Sequence, residues 1–351
     1  MALLDLATDV GDLHLQAWAL GALACVHHIQ GRLQQAADCY RQAIANARKR
    51  GDKVDHAIFQ NNQGLMYLSY GRYQQAARLV SSALAAFREI RERVGEGKSL
   101  TILGEVRYRQ GRYQEAAGHL RQAIAAAREV GDRALEGSAL GTLGRTCNRQ
   151  GRYDQAASYH QQALTISREI GLDDAEVLNG AGETLLVTGQ PDQARACHTA
   201  ALTLARQIGD PCQQAYALTG LGAISQQLAQ HAQAADYHQQ ALALFTEIGD
   251  PGGQAEALNG AGEAWSAAGQ PDQAGACHSR ALTLTRQTGD RYQQARAHHG
   301  LAGSYHATGQ PGWARQHRQH ALDIYTHLGV PEAACMRTSP ASMEQTPAGK
   351  A

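Results

Sequence analysis

Residues 111–123 read Gly-Arg-Tyr-Gln-Glu-Ala-Ala-Gly-His-Leu-Arg-Gln-Ala, and residues 151–163 read Gly-Arg-Tyr-Asp-Gln-Ala-Ala-Ser-Tyr-His-Gln-Gln-Ala. Both begin with glycine, place alanine five residues later, and repeat an alanine seven residues beyond that. The same element starts at Gly31, Gly71, Gly189, Gly269 and Gly309, and Ala229 fills the remaining slot. Successive anchors are 40, 40, 40, 38, 40, 40 and 40 residues apart. Seven residues before each anchor lies another small side chain, from Ala24 through Gly64, Gly104, Gly144, Gly182, Gly222 and Gly262 to Ala302. A fixed period of this length means an array of supersecondary units, each of which buries its apolar face only against its neighbours.

Within each unit the apolar residues fall at three- and four-residue steps, as in Leu202, Leu204, Ala205 and Ile208, which is helical periodicity. Gly-Asp at 51–52, 131–132, 209–210, 249–250 and 289–290 supplies a left-handed C-cap followed by an N-cap, with Pro211 or Pro251 next. Forty residues less two turns leave about 18 per helix, or roughly 27 Å. Small residues at fixed places fit helices that approach closely.

The Leu103-Gly104 step, an aromatic such as Tyr67 three residues after the small position, Gly71, Tyr73, Ala76 and Ala83 together resemble the signature of the tetratricopeptide repeat family. The resemblance covers about residues 4–329 and implies an all-α fold, a right-handed α-solenoid superhelix of about eight antiparallel helix pairs. The 40-residue period resembles Pins/LGN-type arrays and the C-terminal arrays of bacterial signal-transduction regulators. Two units depart from the pattern. The fifth is two residues short between Gly171 and Gly182, and the sixth has Ala229 and His231 where Gly and Tyr or Pro stand elsewhere, so a kink or looser packing is expected there.

Residues 4–12 superimpose on 202–210, so the chain starts inside a second helix. Residues 1–12 are expected to form part of a truncated preceding unit whose uncovered face offers a route to self-association, residues 13–330 the solenoid, and 331–351, rich in Pro, Ser, Thr and Ala, a disordered tail.

With 32 basic and 32 acidic side chains the net charge is zero, which removes the electrostatic footprint of a direct nucleic-acid binder. Stretches such as 17–26 are far shorter than the ~20 apolar residues of a membrane span, and Asp5 and Asp9 stand where a secretory leader is basic. A cytoplasmic location is the expectation. Seven cysteines without a C-x-x-C pair argue against a disulfide framework or a zinc knuckle.

Catalytic and cofactor chemistry find no carrier in the sequence. Gly95-Glu-Gly-Lys-Ser99 lacks the earlier glycine and preceding strand of a phosphate loop. Cys197-His198 and Cys277-His278 stand two units apart, with His160 and His238 in the same slot, which reads as a recurring semi-buried packing position. His298, His299, His306, His317, His320 and His327 cluster without an H-E-x-x-H spacing, and no metal site is assigned to them.

The function expected is therefore binding. First helices of a solenoid line a concave wall. By resemblance to peptide-binding arrays, its exposed positions lie six and three residues before the small residue, then one, four and five after it. This rule selects Lys98, Glu105, Tyr108, Arg109, Arg145 and Arg149 in units three and four, and Glu176, Asn179, Glu183, Glu256, Asn259 and Glu263 in units five and seven. Residues 1–170 carry 22 basic and 16 acidic groups, net +6, against 10 and 16, net −6, in 171–351. The amides of Asn61, Asn179 and Asn259 share one slot and suit the backbone of an extended peptide, and Arg145 with Arg149 suit a ligand carboxylate. The first reading is a non-catalytic scaffold for a protein or peptide segment. The alternative is the sensor module of a bacterial transcriptional regulator whose DNA-binding or nucleotide-switch part is absent from this chain.

Overall fold

The computed structural model describes residues 2–171 and 174–338, all of whose regular structure is helical. Eight antiparallel pairs follow one another: α2 (Leu13–Ile29) with α3 (Leu33–Lys49), α4 (Lys53–Ser69) with α5 (Tyr73–Glu89), α6 (Arg93–Arg109) with α7 (Tyr113–Val130), and α8 (Arg133–Arg149) with α9 (Tyr153–Glu169). Then come α10 (Ala175–Val187) with α11 (Pro191–Ile208), α12 (Pro211–Gln227) with α13 (His231–Ile248), α14 (Pro251–Ala267) with α15 (Pro271–Thr288), and α16 (Arg291–Ala307) with α17 (Pro311–Leu328). The short α1 (Ala2–Val10) precedes them and α18 (Glu332–Thr338) follows. Each helix packs chiefly on its neighbours in sequence, as an α-solenoid requires. On α1, Leu6 and Val10 are 60% and 70% exposed, while the side chain of Leu4 lies outside the described residues.

The joints work as their residues dictate. Asp52, Asp132, Asp210 and Asp290 each accept the backbone N–H three residues on, at 2.9–3.0 Å, closing the N-termini of α4, α8, α12 and α16. Within pairs, the anchor glycines turn with positive φ, 68° at Gly71 and 74° at Gly111. In the sixth unit the expected disruption is absent. Ala229 takes the same left-handed conformation at φ 57°, and α12 and α13 pack as extensively as any pair. The backbone strain is thus localised in one residue, at a cost of roughly 1–2 kcal/mol. Ala229→Gly should stabilise the protein by about 1 kcal/mol in urea titrations, whereas no gain would place that alanine in an unstrained turn.

The small residue of each first helix receives a side chain from the second. A Cβ added at Gly104 would stand 2.6 Å from Leu120 Cγ, and Val80 fills the equivalent seat at Gly64. In the next four units the inserted group is an imidazole. His160, His198, His238 and His278 press on Gly144, Gly182, Gly222 and Gly262, where a Cβ would lie 2.6–2.8 Å from the ring. Each ring also meets a glycine of the following unit, Gly180, Gly220, Gly260 or Gly300. The Gly-x-Gly pairs of α10, α12 and α14 are therefore two seats for two successive histidines. These rings are at most 3% exposed, so the semi-buried position expected from sequence is a fully buried one.

The superhelix winds tightly enough for its early and late units to touch. Gly71 packs against Thr288 and Pro251, with 2.6 and 2.8 Å to an added Cβ, and Gly151 against Pro331 at 2.7 Å. Tyr108 and Tyr113 share an apolar cluster with Ile324, Tyr325, Val330 and Met336.

The expected disordered tail is corrected in its first part. Helix α18 buries Ala333 and Met336, Glu332 accepts a 2.6 Å hydrogen bond from Tyr292, and Arg318 donates to the Met336 carbonyl at 2.6 Å. Seven residues are too few to display a helical period, so only the tertiary partners reveal this element. The rest of the expected tail, 339–351, lies outside the described residues.

Candidate functional site

First helices α6, α8, α10, α12, α14 and α16 face one another across the tightly wound interior and line a half-open cavity of about 280 Å³. Its walls carry Arg109, Arg145, Arg149, Asn179, Glu183 and Glu263, all singled out from sequence. Lys98 is exposed and outside the cavity, and Asn61 and Asn259 are buried away from it. Tyr108, Glu176, His198, Tyr216, His238, Glu256, Tyr292 and Arg296 complete the charged and aromatic lining. Three of these went unnamed in the sequence reading, although a signal existed for two. The positional rule applied to the sixth and eighth units gives Tyr216, Thr219, Ala223, Gln226 and Arg296, all cavity residues, whereas Tyr292 lies outside the rule.

The guanidiniums expected to clamp a ligand carboxylate hold carboxylates of the chain itself. Glu105 is shared by Arg109, 2.8 Å away, and by Arg145. Arg145 also lies 3.6 Å from Glu176, Arg149 is 3.3 Å from Glu183, and Arg296 pairs with Glu263 at 2.8 Å. The arginines of units three and four are thus neutralised by Glu105 of unit three and by Glu176 and Glu183 of the adjacent unit five, and Glu263 of unit seven by Arg296 of unit eight. Arg109 reaches across to donate to the Tyr216 hydroxyl at 2.6 Å, and Arg149 lies over the Tyr292 ring at 4.3 Å.

Burial sets the protonation of this site. It pushes the Glu105 carboxyl up, but Arg145 and Arg109 outweigh it and keep the group below the ordinary carboxylate range. Glu263 is treated alike by burial and Arg296. Where guanidinium contact is poorer, burial wins: Glu176 and Asp250 are raised, and Asp290 is pushed up to about 6.

The asparagines are likewise corrected. Asn179 Nδ2 donates to the Gln213 carbonyl at 3.2 Å, and its Oδ1 faces His198 Nδ1 at 3.0 Å. Asn259 repeats the arrangement with Gln293 at 3.0 Å and His278 at 3.1 Å. These amides do bind extended backbone, but it is the N-terminal turn of the next unit's first helix. Since an amide oxygen only accepts, His198 and His278 carry their proton on Nδ1 and present a bare Nε2. In the unit of Asn61 the histidine slot holds Val80, and the buried Asn61 Oδ1 has no hydrogen-bond partner.

Among the described residues three possible metal ligands converge only at His14, Asp52 and Asp55. Arg50 Nη1 stands there, 2.8 Å from His14 Nδ1 and 3.3 Å from Asp55 Oδ2, so a cation of the protein already serves that cluster. In the late histidine cluster, His298 and His317 face each other through Nδ1 atoms at 3.0 Å.

An α-solenoid of helix pairs with a polar, aromatic inner wall defines a class of repeat proteins. Tetratricopeptide repeat models match residues 22–89, 96–169, 173–247 and 253–327, and the chain belongs to the tetratricopeptide repeat family. No curated protein matches its sequence. Its fold is similar to a Rap protein complexed with Competence and Sporulation Factor (TM-score 0.62, 14% identity, 92% of this chain and 95% of the other). It is also similar to the Rap conjugation gene regulator of plasmid pLS20 in complex with the Phr* peptide (0.66, 16%, 80% and 77%). The apo form of RapI gives 0.51 at 13% identity over 84% and 98%. No described helix is long and apolar enough to cross a membrane.

Proposed function

We propose that this chain is a non-catalytic scaffold whose inner wall takes a peptide or a segment of a partner protein. The observation that carries the reading is the cavity itself. Six consecutive first helices contribute to it, and its walls combine guanidinium, carboxylate, tyrosine and imidazole groups, the mixture that reads backbone and side chains together. At about 280 Å³ it lies at the lower end of ligand sites, so it seats a chain end or a side chain or two, and a longer segment continues along the groove. The solved Rap structures named above hold a peptide or factor on a similar fold, which supports the reading.

Arg145 and Arg149 are poor probes of binding, because removing them unpairs buried carboxylates. Ala223 lines the cavity without forming any of its ion pairs. Panning a random hexapeptide pool should yield binders to the wild type, and Ala223→Trp, which fills the cavity, should weaken them at least tenfold at unchanged urea stability. Equal retention by both would move the binding surface elsewhere. The sensor-module reading uses the same site, with the ligand changing the activity of an attached regulator. It draws on the fold shared with a conjugation gene regulator over 80% of this chain.

A further inference from the structure

Away from the inner wall, the last helix pair departs from the others at two packing positions. Four residues before the small residue of the first helix, units three to seven carry Leu100, Leu140, Leu178, Leu218 and Leu258, and unit eight carries His298. Three residues after the first alanine of the second helix, units four to seven carry Tyr159, Cys197, Tyr237 and Cys277, and unit eight carries His317. Two imidazoles thus meet where α16 packs on α17, and His298 is only 4% exposed. A third, the exposed His320, follows one turn along α17, its ring centroid 5.0 Å from that of His298.

The contact between the first two rings has the spacing of a coordination site. His298 Nδ1 and His317 Nδ1 are 3.0 Å apart. With no metal bound, one donates its N–H and the other accepts. Moving that proton to the donor's own Nε2 leaves two bare Nδ1 lone pairs side by side on neutral rings. Nitrogens 3.0 Å apart, each at the ~2.0–2.1 Å of a metal–imidazole bond, subtend roughly 94° at the ion. That is the cis angle of square-planar and octahedral centres, and each ring turns off the line between the nitrogens to aim its lone pair at the ion.

The surroundings select the metal. Burial lowers His298 to a pKa of about 4 and lowers His317 as well, so protons do not compete for these nitrogens near pH 7. The charged groups that act on the pair are Arg286, Arg291 and His320, with no carboxylate among them. Ca²⁺ and Mg²⁺, which take oxygen ligands, have nothing to hold them there. The bond to neutral nitrogen must outweigh repulsion from the arginines, and among divalent first-row ions Ni²⁺ and Cu²⁺ combine high affinity for imidazole with the cis angle. The His317 ring is backed by Tyr305, centroids 5.3 Å apart, and Tyr305 by Trp313 at 6.2 Å.

We infer that His298 and His317 form a transition-metal site between α16 and α17 that takes Ni²⁺ or Cu²⁺ through their Nδ1 atoms. His320, whose nitrogens as placed do not converge with the other two, becomes the third ligand by turning about its own side-chain bonds, and water fills the remaining positions. The site is separate from the inner wall and does not depend on what binds there.

The test takes the full chain without a polyhistidine tag, strips it with EDTA, and titrates nickel chloride by calorimetry and by tryptophan fluorescence, with magnesium chloride as the control. Each variant carries a residue that other units hold at the same position: His298→Leu, His317→Tyr, and His320→Gln after Gln162 and Gln240. Circular dichroism confirms that each is folded. The inference predicts one nickel ion per chain, bound at least tenfold more weakly by His298→Leu and by His317→Tyr and about threefold more weakly by His320→Gln. Nickel should quench Trp313, so Trp313→Phe should abolish the fluorescence change and leave the calorimetric affinity intact. Equal nickel binding by the wild type and His298→Leu, a quench that survives Trp313→Phe, or no binding below about 0.1 mM would each overturn the inference. An unchanged affinity in His320→Gln would remove His320 from the ligand set.

Discussion

Lowering the pH from 7 to about 5 should unfold this protein, well before ordinary carboxylates protonate. His160, His198, His238 and His278 are wedged between glycines of successive first helices, and burial lowers their pKa values to about 3, 4, 4 and 4. In the unfolded chain the same side chains titrate near 6.5. Between these limits the unfolded state binds protons that the native state refuses, so stability is fully present above about pH 6.5 and is lost as pH falls towards 4. At pH 5 each ring costs roughly 2 kcal/mol, and four of them approach the whole stability of a typical domain. Asp290, raised to about 6, works in the opposite direction by about 1–2 kcal/mol, because its native carboxyl takes up a proton first. A urea series across pH 4–8, followed by circular dichroism, should show the midpoint collapsing between pH 6 and 5. Replacing His160 and His238 with leucine should lower the acid midpoint by roughly half a unit or more. A midpoint flat down to pH 4.5 would mean that the imidazoles are hydrated and that the glycine seats are looser than described.

Glu105→Gln should be the most damaging change on the inner wall. Its carboxylate serves Arg109 and Arg145 at once, and the three side chains are only 13–15% exposed. Removing the charge leaves two buried guanidiniums facing each other, a loss of about 3–5 kcal/mol for a broken buried pair. The triple variant Glu105→Leu/Arg109→Met/Arg145→Met should recover part of that stability, since apolar replacement of a buried ion cluster is often neutral but Glu176 then loses its guanidinium partner. Chemical denaturation of the single and triple variants decides the matter. If Glu105→Gln costs less than about 1 kcal/mol, these ions are solvated and the interior is more open than the packing of Gly71 and Gly151 indicates.

These two effects mark where the sequence was legible and where it was not. The period, the helix pairs and the caps could be read because each depends on residues within one unit: Gly71 for its turn, Asp132 for its N-cap, Gly104 for its close approach. Which side chain fills a seat also left a trace, since histidine at 198 coincides with glycine at both 182 and 220. What could not be read is everything set by superhelical winding. That Arg149 would meet Tyr292, or that Arg109 would reach Tyr216, depends on rotations accumulated over units, and no local pattern encodes their sum. Polar residues at wall positions therefore looked free when several are paired within the protein.

The most direct test of the inner-wall account places a diazirine photocrosslinker at one of two glutamines. Gln226 lines the cavity, and Gln207 lines a groove formed by the second helix α11. Hexapeptides selected on the wild type are added, irradiated, and mapped by mass spectrometry. Crosslinks from position 226 and none above background from 207 are the predicted result. Crosslinks from 207 alone, or equally from both, would contradict the claim that the inner wall is where this protein holds its partner.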